Sequence, residues 1–148
     1  MSYHEKKIIV NVASSLLIFA IYYSWVFTSY ANATMTQPEE LQFWGKTIVI
    51  LIPISIAAKI LIHILFTVTN SIVTREEYPK IEDERDRLIE LKSTRNAFAI
   101  FGLGFVVAMA LIAFGWPLKT MFSVFICFGI LSELFDNFSQ LYFHRSGI

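Results

Sequence analysis

Four apolar stretches, at positions 8–28, 47–69, 97–114 and 121–142, constrain this 148-residue chain more than any other feature. Each approaches the roughly 20 helical residues that cross the hydrocarbon core of a bilayer. Backbone amides and carbonyls find no water in that layer, so a spanning segment must satisfy them within itself or within a closed barrel. The stretches show no period-two alternation, so helices remain and a barrel is excluded. Composition agrees, since 55% hydrophobic content and a mean hydropathy of +0.58 exceed what a soluble domain of this size needs. The expected fold is all-α: a single integral membrane domain over 1–148, a four-helix bundle, with residues 70–96 as a cytoplasmic loop and helical extension before the third span. Its first partner is the lipid bilayer.

Twelve basic side chains balance twelve acidic ones, and this neutrality speaks against direct nucleic-acid binding. The distribution of charge is more informative. Lys6 and Lys7 precede the first span, Arg75, Lys80, Arg85, Arg87, Lys92 and Arg95 fill the central connection, and Arg145 follows the last span. The other two connections carry only Lys46 and Lys119. The positive-inside rule then puts both termini and the central loop on the cytoplasmic side of the inner membrane. Trp25, Tyr30, Trp44 and Trp116 fall near the opposite boundary, where an aromatic belt is expected. Ala31-Asn32-Ala33 resembles a signal-peptidase site, but the apolar stretch before it is longer than the about 7–15 residues of a signal peptide and is rich in Tyr and Trp. Asn32-Ala33-Thr34 also matches a glycosylation sequon. The single cysteine, Cys127, excludes an internal disulfide and reads as a packed core residue.

Thr36, Pro38 and Glu39 supply an N-cap, an early-turn proline and a capping-box acid, so the second helix is expected to begin near Pro38, outside the lipid. Pro53 removes one backbone donor within the span. In the central connection Thr74 and Glu77 can box a short turn that Pro79 interrupts, and from Ile81 onward no breaker stops a helix running into the third span. At 100° per residue, Glu82, Asp83, Asp86 and Glu90 cluster on one arc, while Arg85, Leu88, Lys92 and Arg95 lie on the other. With Arg87 they form the expected cytoplasmic interaction helix. Its basic and apolar side suits lipid headgroups, and its acidic side is left for water or a cytoplasmic protein partner. The simpler reading is a solvated helix with local pairs such as Asp83 with Arg87. No His or Cys joins the acidic arc to make a metal site.

Inside the second span, Lys59 and His63 stand four residues apart and share a helix face. The fourth span carries Glu133, Asp136, Asn137 and Gln140. Both spans run in the same direction. Lys59 lies 11 residues from Asn70 and Glu133 lies 11 from His144, so the two sit at matching depths. A lone charge at that depth costs roughly 2.5–3.5 kcal/mol on insertion scales, which pairing would reduce. The expected pairs are Lys59 with Glu133 and His63 with Asp136. Their purpose is open between a lock on helix register, a proton or ion path, and a ligand pocket. Gly104 and Ala108 give the third span a small-residue step, with Gly102 nearby, suited to the internal bundle or to a homo-oligomer. WGKT before the second span and WPLKT before the fourth suggest two related hairpins.

DERDRLIELK, with FWGKTIVILIPISIAAKILIHI and SELFDNFSQLYFHRSG, resembles a family of small bacterial four-span membrane proteins that has no assigned function. The resemblance covers most of the chain. Members often end in a more basic YRRG-like tail, where His144 and Ser146 stand here. The family is similar to genes beside small helix-turn-helix regulators, which implies a regulatory pairing, and it offers no catalytic or binding residues to transfer. No nucleophile–base pair, phosphate loop or dinucleotide fingerprint is present, so the expectation is a non-enzyme without cofactor. The first expectation is a regulatory or interaction module; the alternative is a small proton- or ion-coupled transporter using Lys59, His63, Glu133 and Asp136.

Overall fold

The computed structural model describes residues 3–31, 34–74 and 84–146, which form four helices: α1 (Tyr3–Ala31), α2 (Gln37–Thr74), α3 (Glu84–Ala113) and α4 (Leu118–Ser146). There is no strand among the described residues. All four helices are long and apolar enough to cross a membrane. Their apolar residues are not confined to one stripe. Leu17, Ile21, Val49, Leu65, Phe98 and Val106 are among the large side chains that point outward, an arrangement that suits lipid contact.

The ends of the helices follow their local chemistry. α2 begins at Gln37 because the Thr36 amide and hydroxyl both donate to Glu39 Oε2, at 2.8 Å each, and Glu40 N donates to Thr36 O at 2.9 Å. α2 has 38 residues, about 57 Å of rise, and so overhangs a hydrocarbon layer of about 30 Å. α3 is one helix from its charged start into its apolar half, as the absence of breakers requires. It stops where Gly115 takes a φ of 76°. Gly115 N then donates to Ile112 O at 2.9 Å and Trp116 N to Leu111 O at 3.0 Å, a Schellman closure. Pro117 follows directly and opens α4. Glu77, Pro79, Glu82, Asp83 and the Asn32 sequon lie outside the described residues.

α4 is the hub. It touches α1, α2 and α3, whereas no Cα of α2 lies within 8 Å of an α3 Cα among the described residues. Contacts climb α4 as they descend α1, through Tyr23–Ser123, Ser15–Glu133, Asn11–Asn137 and Glu5–Arg145. α2 meets α4 in parallel, through Trp44–Phe122 and Lys59–Glu133. The bundle therefore runs up, down, up, down, with the start of α1 and the end of α4 together. We call that the inner end.

The α3–α4 contact is the closest. A Cβ on Gly104 would collide with Phe128 Cβ, and Ala108 is fully buried, so the small-residue step serves the internal bundle. A Cβ on Gly102 would meet nothing within 4 Å, so Gly102 takes no part in this close approach.

Two aromatic and sulfur expectations are corrected. Trp44 is 2% exposed and stacks on Phe122 at 5.8 Å, in a core with Tyr22, Val26 and Ile126, rather than anchoring at a boundary. Tyr22 OH, donating to Thr47 O at 2.7 Å, ties α1 to α2 beside it. Trp25 and Trp116 do face outward. Cys127 is exposed on the outside of α4, not packed in the core.

Candidate functional site

Asn11 and Ser15 are four residues apart on α1, so one face of that helix presents both to α4. On α4, Glu133 and Asn137 have the same spacing and meet them. Asn11 Nδ2 donates to Asn137 Oδ1 at 2.7 Å, and Asn137 Nδ2 donates to the Glu133 carbonyl at 2.8 Å. Ser15 Oγ donates to Glu133 Oε1, and Lys59 Nζ of α2 pairs with the same oxygen. Asn137 is 2% exposed, and the Lys59 and Glu133 side chains are each 30% exposed. Three helices thus supply one hydrogen-bonded ladder whose upper rung is an ion pair.

A polar cavity of about 150 Å³ lies below this ladder, at the inner end. Lys7 and Asn11 of α1, His63 of α2, Asp86 and Glu90 of α3, and Asn137, Gln140 and His144 of α4 line it. Every helix contributes a group able to bond water, and the volume exceeds the roughly 10–15 Å³ that admits one molecule. His144 Nδ1 lies 3.8 Å from Asp86 Oδ1, and Arg145 Nε donates to Glu5 Oε1 at 3.0 Å, tying α4 to α3 and α1 beside the cavity. A second cavity, of about 290 Å³, lies above the ladder and is walled by apolar side chains of all four helices, with Ser15, Ser55, Lys59 and Glu133 as its polar members.

The expected Lys59–Glu133 pair is formed. His63 and Asp136 form no ion pair: His63 faces the polar cavity, where Lys7 and Lys59 are its charged neighbours, and Asp136 turns toward α3, beside Glu90 and Thr94. Asp136 Oδ2 accepts from Gln140 Nε2 at 3.0 Å, while its buried Oδ1 has no hydrogen-bond partner among the described residues. The acidic arc of α3 does not all face water, because Asp86 and Glu90 line the polar cavity and the buried Ile89 and Ser93 hold that side of α3 against the bundle. Arg85, Arg87 and Lys92 lie on its exposed side. Reading the ionisable residues alone overlooks Asn11 and Ser15, whose signal is two polar groups at helical spacing within the first span. It overlooks Lys7 and His144 too, which read as flanking charges. Compared with protein-family models, curated proteins and solved structures, the chain finds no match, and the site stands on its own geometry.

Proposed function

We propose that this chain is a non-enzymatic protein of the cytoplasmic membrane, with both termini in the cytoplasm, that passes protons between the cytoplasm and the Lys59–Glu133 pair as part of coupled transport. The single observation that supports this reading is the polar cavity at the inner end, lined by all four helices and reaching Asn11 and Asn137, one helical turn from Ser15 and Glu133 on the same faces, with Asn137 donating to the Glu133 main-chain carbonyl. Water in that cavity brings proton exchange to the foot of the ladder. Glu133, shared between Ser15 and Lys59, is the carboxylate at its top. The Tyr22, Val26, Trp44 and Ile126 core packs the bundle beyond the pair, so the polar approach to the pair is from the inner end. Intramembrane ionisable groups with this access mark proton relays.

Reconstituted vesicles holding a pH-sensitive dye test this directly. Under an imposed pH gradient the wild-type protein accelerates proton entry, Glu133→Gln removes the acceleration, and Asn137→Leu slows it. Flux that is absent in the wild type, or indifferent to Glu133→Gln, overturns the reading.

A second reading, a regulatory module with a cytoplasmic protein partner, draws on the exposed Leu88 and Leu91 beside Lys92 near the start of α3. Here the ion pair only fixes helix register. Unchanged capture of a cytoplasmic protein by Leu88→Ser/Leu91→Ser, relative to wild type, removes this alternative.

A further inference from the structure

The upper cavity is left unused by a proton path, and its chemistry is lopsided. Aliphatic and aromatic side chains form its walls, while Ser15, Ser55, Lys59 and Glu133 are its polar lining. At about 290 Å³ it stands at the lower edge of the roughly 300–1,000 Å³ typical of small-molecule sites. On α2 it runs from Ile48 to Lys59, 11 residues or about 16 Å of helix rise, so it is elongated with a charged end. No α2 Cα lies within 8 Å of an α3 Cα among the described residues, so its flank between them faces the side of the bundle, where lipid would lie.

Hydrogen-bond capacity narrows the missing group. Lys59 carries three N–H donors and, among the described residues, uses them on Glu133 alone. Ser15 spends its proton on Glu133, and Ser55 spends its own on Ile52 O at 2.9 Å. Glu133 Oε1 takes two donors, and no donor to Oε2 is seen among the described residues. The unspent capacity at the charged end is therefore ammonium N–H beside a carboxylate oxygen, which together suit a carboxylic acid: its carbonyl accepts from Lys59 and its O–H donates to Glu133 Oε2. A quaternary ammonium head offers neither an acceptor to Lys59 nor a proton to Glu133.

We propose that the upper cavity binds a single-chain monocarboxylate of the fatty-acid type, entering from the bilayer between α2 and α3, with its carboxylate on Lys59 and its tail toward Ile48. This rests on the transport reading and names its substrate class. The uncharged acid is the form that enters lipid. Its O–H bond breaks as a new O–H bond forms on the Glu133 carboxylate, and the ligand carboxylate keeps the electron pair and replaces Glu133 on Lys59. The net charge of the site does not change. Ser15 from α1 and Lys59 from α2 face Glu133 through this step, Asp136 neighbours it on α4, and Phe101 is what α3 presents to the cavity.

Binding of ¹³C-carboxyl-labelled dodecanoate to the full-length protein in nanodiscs, read by the carboxyl resonance against empty nanodiscs, tests the proposal. Dodecanoate gives a distinct bound resonance that excess unlabelled dodecanoate displaces and dodecyltrimethylammonium does not. Lys59→Met weakens binding by roughly tenfold or more, as loss of a charged hydrogen-bonding partner implies. Gly129→Leu is a second variant, because a Cβ there meets nothing within 4 Å and the side chain would occupy the cavity that Gly129 lines while both charges stay in place. It also abolishes the bound resonance. Absence of a bound resonance in the wild type, equal displacement by the cationic amphiphile, or full binding by a folded Gly129→Leu variant overturns the assignment. Dodecanoate binding without vesicle proton flux leaves the ligand class standing and removes the transport reading, while flux without binding does the reverse.

Discussion

Lys59 and Glu133 each relieve the other of a mid-span charge, and the relief is lost unevenly when one is changed. Lys59→Met leaves a carboxylate with only the Ser15 hydroxyl for a donor, at a depth where an unpaired charge costs roughly 2.5–3.5 kcal/mol on insertion scales. The 30% exposure of both side chains lets water share that load, so the expected loss of stability is about 1–3 kcal/mol. Lys59→Met combined with Glu133→Leu removes both charges and is expected to recover most of the loss, which thermal unfolding in detergent would show. A double variant no more stable than the single one would mean that the pair is not coupled. The pair was legible because equal distances from the polar helix ends put both groups at one depth. His63 with Asp136 was not, and the reason is angular. From Glu133, three residues turn an α-helix by about 300° and four by about 400°, so Asn137 stays near the Glu133 face while Asp136 swings toward α3. His63, four residues beyond Lys59, therefore shares its cavity with Asn137.

At the scale of elements, α3 and α4 behave as a preassembled hairpin. The α3–α4 turn depends on the positive φ of Gly115, a conformation that costs an L side chain roughly 1–2 kcal/mol, so Gly115→Ala should lower stability by about that amount. Gly102→Ala, on the open side of the same helix, should lose nothing. Gly104→Leu is a harsher case, since its Cβ already collides with Phe128 Cβ, and α3 must move off α4 to admit it. The expected result is a loss beyond the about 1–3 kcal/mol of ordinary overpacking, with disruption of the polar cavity that Asp86 and Glu90 help to line. The start of α2 offers a pH-dependent counterpart before the 47–69 span. Donation from the Thr36 amide and hydroxyl holds the Glu39 carboxyl below its ordinary 4.5. A group depressed on folding stabilises fully above its unfolded value and loses that contribution as pH falls through the lower folded value. Thr36→Ala should therefore weaken the helix start at neutral pH, and the difference from wild type should fade as pH falls below the ordinary 4.5, by circular dichroism. The spacing of Gly104 and Ala108 announced a close helix approach, but only three-dimensional packing chose α4 over a second copy of the chain.

The whole molecule is a bundle with dissimilar ends, and this contrast governs what could be read from sequence. Four long apolar helices follow from hydropathy and length, because backbone satisfaction in lipid leaves helices as the answer to long apolar runs. The destination of the α3 charges does not follow, since a charged arc bounded by polar residues looks alike whether it faces water or a wet cavity. Burial of Ile89 and Ser93 decides it by setting the half-buried Asp86 and the exposed Glu90 along the wall of the polar cavity. Trp44 shows the same limit: tryptophan near a boundary suits either an interface or a core, and its stacking on Phe122 selects the core. The inner end gathers Lys7, Asp86, His144 and Arg145, while Lys46 and Lys119 stand at the other. Basic residues in short flanks favour the cytoplasm, so the polar cavity should open there. In a Cys127→Ala background, a membrane-impermeant maleimide applied to intact spheroplasts should label Lys119→Cys and spare Arg87→Cys, and permeabilisation should expose the latter. Labelling of Arg87→Cys in intact cells would invert the molecule and put the mouth of the proton path on the outer face, where it would draw protons from the opposite compartment.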